Sequence, residues 1–332
     1  MRSKSATIEA FGRLHFSLAN LSNSGDIVNG GAGMMVSPPI LAVTAKSETK
    51  LTVNPPNYTN EVIEICNILK INQNLRVDIK TDSRMGWHKG LGFHTQLRLS
   101  IASAVSIASE KKINKETLAH SLSRGGTSGI GSLGFWHGGV LFDAGRARTN
   151  GIFTPSSEVK NFTSSPLLYS NDRLPFIPVI VQPKSWPLIF GKLEMELFAR
   201  LTPIPEKEAV TCSKYIFEDL RLATETEDFD YFCETISKIS QIGFKKREIH
   251  HRGSLAKLIF KKMHEAGLRG ISMSSWGPTC FGFVRNKNSA LDAVNQLNEC
   301  SEIDSAWIAE LAPGARISID HGETQQLISL LD

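Results

Sequence analysis

The sequence predicts an α+β protein built from two domains. Two observations lead to this prediction. The first half of the chain is rich in glycine and in short runs of alternating apolar residues, which are typical of strands. After about residue 170, apolar strands alternate with amphipathic helices. We therefore predict one domain over residues 1–170 and a second over residues 171–332, with a ligand cleft between them.

The first domain is predicted to begin with strands and to end in glycine-rich loops. The runs ATIEAFGRLHFSL, ILAVTA, KLTVN and LRVDIKT are typical of strands, whereas NEVIEICNILK and TQLRLSIASAVSIASEK have helical spacing. Residues 124–145 contain too many glycines for one continuous helix. We expect a loop, a short helix and the strand GGVLFDA there.

The second domain is predicted to alternate strands with amphipathic helices. LPFIPVIVQ, GPTCFGFV and SAWIAEL are predicted strands. The predicted helices are KEAVTCSKYIFEDLRLATE, DFDYFCETISKISQIGFKK, SLAKLIFKKMHEAG (capped at Gly267) and SALDAVNQLNEC. We expect the basic residues of these helices to form a solvated surface: Lys245, Lys246, Arg247, Lys261 and Lys262.

Composition limits the functions that the chain can have. Its 332 residues are 41% hydrophobic, enough for a sizeable core, and no apolar run reaches the roughly 20 residues of a membrane helix. The N-terminal residues lack the apolar stretch of a signal peptide, and the five cysteines are scattered, as in a reducing compartment. A net charge of +4 suits an anionic small molecule better than nucleic acid. We expect a cytoplasmic protein with neither nucleic acid nor membrane as a partner.

Residues 90–96, GLGFHTQ, have the composition of a phosphate-binding loop. Glycines 90 and 92 allow backbone amides to approach an anion closely. The helix that follows places its positive dipole end at the same point. Thr95 and Gln96 add polar groups, although a single GxG before a helix is weak evidence.

Three further glycine clusters make the phosphate-site prediction stronger. They are VNGGAGMMV at residues 28–36, SRGGTSGIGS at 123–132 and SMSSWGPTCFGF at 272–283. If all four clusters converge on one cleft, they form a site for a ligand with several phosphate groups. Arg13 and Arg124 would then supply the bidentate positive charge that backbone amides lack.

These motifs resemble those of the galactose, homoserine, mevalonate and phosphomevalonate (GHMP) kinase superfamily. Within it, the chain is similar to the β-ribofuranosylaminobenzene 5′-phosphate synthase family, on the motifs RLHF (13–16), GGAG (30–33), GLGFHTQ (90–96), RGGTSGIG (124–131), GGVLFDAG (138–145) and SSWGP (274–278). The resemblance implies a two-domain GHMP-kinase-like fold, with a first domain like ribosomal protein S5 and a ferredoxin-like second domain.

The resemblance also implies an activity. The family joins 5-phosphoribosyl diphosphate to the ring carbon of 4-aminobenzoate, or of 4-hydroxybenzoate, and releases pyrophosphate and CO2 in tetrahydromethanopterin biosynthesis. Its members are expected to use Mg²⁺ and to form homodimers. The alternatives are an ATP-dependent small-molecule kinase and a phosphate sensor without turnover. Alignment with the kinases places Gly131 where they carry a catalytic aspartate, so this chain lacks their usual base.

We assign site residues from the same motifs. Arg13, His15 and Arg124 are the predicted catalytic residues, and Asp143 is the predicted magnesium ligand. The predicted phosphate- and substrate-binding residues are Gly90, Gly92, His94, Thr95, Gln96, Ser128, Gly129, Gly131, Ser275 and Gly277.

The chain departs from the family pattern at two points. Phe93 and His94 stand where the pattern has Ser-Gly, and Gly126-Thr127 replaces a segment that often carries extra arginine. His94 either caps the helix or binds a phosphate oxygen as a cation, and the sequence leaves both alternatives open. The departures indicate a diverged member whose substrate can differ.

Overall fold

A computed structural model of the chain describes residues 5–148, 165–320 and 324–327. Its strands are β1 Ser5–Leu18, β2 Ile27–Val28, β3 Gly31–Ser47, β4 Thr52–Asn54, β5 Leu75–Thr81, β6 Val140–Asp143, β7 Arg146–Ala147, β8 Leu167–Asn171, β9 Ile177–Pro183, β10 Arg269–Met273, β11 Cys280–Val284, β12 Ile303–Ile308, β13 Arg316–Ile319 and β14 Gln325–Gln326.

The helices follow the same chain order. They are α1 Thr59–Leu69, α2 Phe93–Ala108, α3 Lys115–Ser121, α4 Ile130–His137, α5 Gly191–Leu201, α6 Glu206–Lys214, α7 Arg221–Glu225, α8 Phe229–Ser240, α9 Gly243–Arg252, α10 Ser254–Glu265 and α11 Lys287–Asn298. A π-helical segment, Tyr215–Leu220, joins α6 to α7, so the predicted helix KEAVTCSKYIFEDLRLATE is continuous but locally widened. Within the described ranges, no helix is both long and apolar enough to span a bilayer.

The first sheet is built around the long antiparallel pair β1 and β3. Its order is β14-β13-β1-β3-β5-β4, with β6 paired to β3 and β8 paired to β6. The prediction that residues 28–36 form a phosphate loop was wrong, because most of this cluster belongs to β3. A Cβ on Gly31 or Gly33 would lie 2.4 Å from a β1 carbonyl oxygen, so these glycines permit close strand pairing.

The second sheet is antiparallel, with the order β10-β11-β9-β12. Helices α10 and α11 bury their apolar faces in a core against it, through Ile259, Met263 and Leu297. The predicted helix DFDYFCETISKISQIGFKK is instead two helices, because the backbone of Ile242 is extended and Gly243 has a positive φ of 60°. This break turns α9 into a new direction.

The two-domain α+β class is confirmed, but the sheets are interlaced along the chain. Strand β13 pairs with β1 from Ala6↔Ile319 to Glu9↔Arg316, so residues from the predicted second domain complete the first sheet. β8, which ends at Asn171, also belongs to the first sheet. The boundary at residue 170 stays a prediction.

We predict that Gly138→Ala destabilises the fold strongly. Gly138 has φ 68° and ψ −166°, a region restricted to glycine, and a Cβ there would lie 2.1 Å from the carbonyl carbon of Pro313. We expect a loss of about 2–4 kcal/mol in the free energy of unfolding, measured in urea.

Gly25→Ala is the matched control. Gly25 also has a positive φ of 82°, but a Cβ there would meet nothing within 4 Å. The Gly25→Ala variant should lose only about 1 kcal/mol of unfolding free energy, which is the cost of holding an alanine backbone at positive φ. Equal losses in the two variants would contradict the steric explanation.

Candidate active site

A cavity of about 360 Å³, lined by both polar and apolar side chains, lies where three of the glycine segments meet. We call them the GLG loop (residues 90–92), the SGIG loop (124–131) and the SSWGP loop (274–278). Most of the predicted site residues line this cavity: Arg13, His15, Gly90, Gly92, His94, Thr95, Arg124, Ser128, Gly131, Ser275 and Gly277. The predicted convergence of the glycine loops therefore holds for three of the four clusters.

Three predicted site residues lie behind the cavity and not on its wall. The Gln96 amide is buried and donates to the carbonyl of Gly131 over 2.8 Å. Asp143 is fully buried and its carboxylate accepts the backbone N–H groups of Gly129 and Gly145. These contacts support the SGIG loop, so they correct the prediction that Gln96, Gly129 and Asp143 face the ligand.

The contacts of Asp143 do not favour the magnesium role predicted for it. Burial raises the pKa of its carboxyl to about 6, with the two backbone hydrogen bonds opposing the shift. Across the described parts of the chain, no group of three or more histidine, cysteine or acidic side chains is arranged to hold a metal ion. A magnesium site at Asp143 remains a prediction without geometric support.

The SSWGP loop is docked onto the GLG loop by the hydroxyl of Ser274. This hydroxyl donates to the carbonyl of Gly90 over 2.6 Å and accepts the backbone N–H of His15 over 2.9 Å. Gly90 has a φ of 81°, and a Cβ there would lie 2.5 Å from the carbonyl oxygen of Ser274. Glycine is therefore required at this contact because the two backbones touch.

Two cationic side chains of α9 donate hydrogen bonds to backbone carbonyls in and next to the SSWGP loop. Lys245 donates to the carbonyls of Met273 and Ser275 and pairs with Glu248 at 2.5 Å. Arg252 donates to the carbonyl of Trp276. Lys245 is 0% exposed, so its predicted place on a solvated surface was wrong. Three acceptors around its ammonium group compensate for its burial.

Arg13 reaches the cavity from β1 and carries guanidinium nitrogen atoms that lack hydrogen-bond partners among the described residues. Its Nε and Nη1 atoms are buried and have no hydrogen-bond partner among the described residues. Burial lowers its pKa to about 10, with Glu248 and Glu194 opposing the shift, so it stays charged at neutral pH. A Cβ on Gly92 would lie 2.8 Å from the Arg13 Cγ, so glycine makes room for this side chain.

Arg124 reaches the cavity from the opposite loop and contacts His94. The two atoms Nη1 of Arg124 and Nδ1 of His94 are 3.1 Å apart. Burial lowers the pKa of Arg124 to about 10, so it is charged at neutral pH, and its Nε has no partner within the described ranges. Because α2 begins at Phe93, the positive end of its dipole lies beside the same arginine.

His15 is a neutral group of the cavity wall. Burial and the nearby charge of Arg13 hold its pKa well below its usual value of 6.5. Its Nε2 lies 3.2 Å from the hydroxyl of Ser128. This pair can exchange a hydrogen bond with a ligand, but it adds no charge at neutral pH.

The sequence analysis missed the carboxylates and the aromatic wall of the cavity. Glu194 on α5 and Glu248 on α9 both line it. Burial, followed by the charge of Glu248, raises the pKa of Glu194 to about 7. The aromatic side of the cavity comprises Phe198, Phe244 and Trp276, with Phe244 packed edge-on against Trp276 at 5.5 Å. The helix carrying Glu194 and Phe198 was not predicted.

Among the described residues, a threonine and not an acidic side chain lies nearest to Gly131, where the kinases carry their aspartate. The atoms nearest to a Cβ built at Gly131 belong to Thr95, at 3.5–3.8 Å. The side chain of Thr95 therefore fills the space beside Gly131. This agrees with the expectation that the chain lacks the catalytic base of the kinases at this position.

Comparison with known proteins agrees with this geometry. The chain is 28% identical to the β-ribofuranosylphenol 5′-phosphate synthase of Methanocaldococcus jannaschii over 298 residues, covering 84% of this chain and 90% of that protein. It is 29% identical to the synthase of the same name from Methanothermobacter thermautotrophicus, covering 83% of this chain and 87% of that protein. The chain is therefore similar to these synthases over most of its length. Residues 255–302 match the family described as GHMP kinases C terminal.

Solved structures show that the chain has a GHMP-kinase-like fold. Homoserine kinase from Cytophaga hutchinsonii superposes with a TM-score of 0.63 at 14% identity, covering 95% of this chain and 97% of the kinase. Mevalonate diphosphate decarboxylase from Staphylococcus aureus superposes with a TM-score of 0.60 at 10% identity, covering 95% and 98%. The predicted two-domain GHMP-kinase-like fold is confirmed.

We predict that Lys245→Met destabilises the protein by about 3–5 kcal/mol, because it leaves Glu248 buried without its cation. Urea unfolding measures the loss. The double variant Lys245→Met/Glu248→Leu removes both charges and should recover part of it. A double variant no more stable than the single one would show that the ion pair is not the cause.

Proposed function

We propose that the chain is a decarboxylating phosphoribosyltransferase that joins 5-phosphoribosyl diphosphate to the ring carbon of 4-hydroxybenzoate or 4-aminobenzoate. The observation that carries the proposal is Arg13, a half-buried cation between three glycine loops, whose Nε and Nη1 atoms have no hydrogen-bond partner among the described residues. Such a group suits a ligand that brings its own negative charge. The names of the synthase relatives support the phosphoribosyl product.

The polar side of the cavity suits the diphosphate and the 5-phosphate. Arg13 and Arg124 both line it and carry charge, and the start of α2 adds the positive end of a helix dipole. The GLG loop brings backbone close to the ligand because its glycines have positive φ angles. We assign the phosphorylated donor to this side.

The aromatic side of the cavity suits the ring of the acceptor. Phe198, Phe244 and Trp276 provide an apolar wall, and all three are at least 97% buried. A benzoate ring would pack there with its carboxylate directed toward the arginines, since a carboxylate is stabilised by bidentate guanidinium contacts. The wall also excludes water from the reacting carbon.

In the proposed reaction, the bond between the ribose anomeric carbon and the diphosphate oxygen breaks as positive charge develops on the ribose. The ring carbon that carries the carboxylate then bonds to the anomeric carbon. Cleavage of the bond to the carboxylate returns its electron pair to the ring and releases CO2. The cationic side chains stabilise the charge on the departing pyrophosphate.

Glu194 is the candidate proton acceptor in this scheme. Bond formation draws electrons from the hydroxyl or amino group opposite the carboxylate, so that group becomes acidic. Glu194 would take the proton and return it after CO2 leaves, because its pKa of about 7 suits both directions. The neighbouring Glu248 is already paired with Lys245.

Magnesium fits this cavity as an ion carried by the diphosphate. Mg²⁺ usually keeps several waters and binds substrate phosphates, so the diphosphate would supply the protein-independent ligands of the ion, and Glu194 keeps the role of proton acceptor. When bound, Mg²⁺ would neutralise charge on the leaving pyrophosphate. We propose that the protein acts in the cytoplasm as a homodimer.

An ATP-dependent small-molecule kinase is the second candidate, favoured by the fold shared with homoserine kinase. Such a kinase needs a base for the acceptor hydroxyl. Gly131 supplies none, and Thr95 fills the adjacent space. Release of ADP with a panel of alcohols, together with no release of CO2 from benzoate acceptors, would favour the kinase.

We predict turnover with 5-phosphoribosyl diphosphate, Mg²⁺ and 4-hydroxybenzoate or 4-aminobenzoate, and a loss of about 100-fold in kcat/KM for Arg13→Met. Release of 14CO2 from carboxyl-labelled acceptor and of pyrophosphate measures the activity. Arg76→Met removes a surface arginine paired with Asp78 and should change nothing. Absence of CO2 with both acceptors, under conditions where a relative turns over, would reject the proposal.

We predict that kcat falls as the pH drops below about 7, because only ionised Glu194 accepts a proton. Glu194→Gln should lower kcat by about 100-fold and abolish this limb of the profile. An unchanged profile in Glu194→Gln would remove Glu194 from the mechanism.

The stability of the same variant gives a readout that does not require turnover. Since folding raises the pKa of Glu194, its contribution to stability is fully present below pH 4.5 and is lost as the pH rises through 7. As the pH rises through this range, the unfolding free energy of the wild type should therefore fall relative to that of Glu194→Gln.

A further inference from the structure

His94 lies in a chain of polar contacts that runs from helix α1 to the cavity. Its Nδ1 is 3.1 Å from Nη1 of Arg124, and its Nε2 is 3.5 Å from Oε1 of Glu61. The imidazole also packs against the ring of Trp87, with centroids 5.1 Å apart. The histidine thus touches the cavity arginine on one side and an acidic side chain on the other.

The contact with Arg124 is a hydrogen bond in only one form of His94. A guanidinium group can only donate hydrogen bonds, so Nδ1 accepts one from it only when this atom carries no proton. The proton of the neutral ring then lies on Nε2, directed toward Glu61. Protonation of Nδ1 would remove the acceptor and place a second positive charge beside Arg124.

We propose that neutral His94 is a positioning residue that holds Arg124 toward the phosphorylated substrate, so that protonation of His94 weakens substrate binding. This inference rests on the proposed function, because it takes the phosphorylated donor as the ligand of Arg124. It gives His94 a third role beside the two alternatives left open by the sequence, since His94 acts here through the arginine.

The charged groups around His94 decide the sign of the effect. Glu61 faces it from α1, but Arg98 of α2 already binds that carboxylate at 2.6 Å. Arg98 also binds Glu64, and His88 is the remaining titratable neighbour. Because Glu61 is shared with Arg98, it compensates a cationic His94 only in part, and repulsion from Arg124 remains.

A direct phosphate contact by His94 would have the opposite sign. The side chain is 38% exposed at the cavity, so a protonated ring is accessible to an anion. In that case, substrate binding would strengthen as the pH falls. The pH dependence of binding therefore distinguishes a positioning residue from a cationic ligand.

The test uses calorimetric titration of the full chain with 5-phosphoribosyl diphosphate, and separately with inorganic pyrophosphate, in the presence of Mg²⁺ between pH 5.5 and 8.5. His94→Asn keeps an acceptor near the Nδ1 position but does not titrate, whereas His94→Leu has no acceptor. The ratio of wild-type to His94→Asn dissociation constants cancels the protonation of the ligand itself.

We expect that ratio to be near one at pH 8.5 and to rise about tenfold at pH 5.5. His94→Leu should bind about tenfold more weakly than His94→Asn at pH 8.5. In the Arg124→Met background, the two substitutions should bind equally, because no guanidinium remains to be positioned. Thermal melting shows whether each variant is folded, and His94→Gln serves as the second acceptor variant if His94→Asn is not.

Three outcomes would overturn the inference: a ratio that falls at low pH, a ratio that stays flat, or a His94→Leu effect that persists in Arg124→Met. Absence of binding by either probe would overturn it as well. The expected binding pattern without release of CO2 would uphold the role of His94 and reject the proposed reaction instead. The two proposals can therefore fail separately.

Discussion

The docking of the SSWGP loop onto the GLG loop is the contact on which the candidate site depends. One hydroxyl, that of Ser274, binds the backbone of Gly90 and of His15, and thereby ties three distant segments together. The carbonyl of Gly90 in the GLG loop accepts its hydrogen bond from the SSWGP loop, so the position of one loop depends on that of the other. The buried cations of α9 complete this arrangement by binding the carbonyls on the far side of the SSWGP loop. The cavity exists because these contacts hold its walls in place.

Much of the site was predictable because glycine-rich loops can be recognised in the sequence. The GLG, SGIG and SSWGP loops converge as expected, and Arg13 of β1 and Arg124 of the SGIG loop face the same cavity. The cluster at residues 28–36 misled the prediction, because glycine is equally required where two strands approach closely. The sequence shows that a backbone is unhindered, but it does not show whether a ligand or another strand comes near it.

The charged side chains were harder to predict for a different reason. Lys245 and Glu194 lie on helices whose sequences look like ordinary amphipathic surfaces, and the helix of Glu194 was not foreseen. Their burial comes from the packing of α5 and α9 around the loops, which no local pattern encodes. The resulting site pairs some of its charges internally, as in Lys245 with Glu248, whereas the Nε and Nη1 atoms of Arg13 have no partner among the described residues. This division separates structural charges from those available for chemistry.

The pairing of β13 with β1 has a consequence for how the site is assembled during synthesis. β1 carries Arg13 and His15, and its outer neighbour is a strand that lies some three hundred residues later. A nascent chain emerging from the ribosome therefore holds one edge of β1 unpaired until residue 319 is available. The strand that carries Arg13 and His15 is among the first segments translated and among the last to gain all of its neighbours.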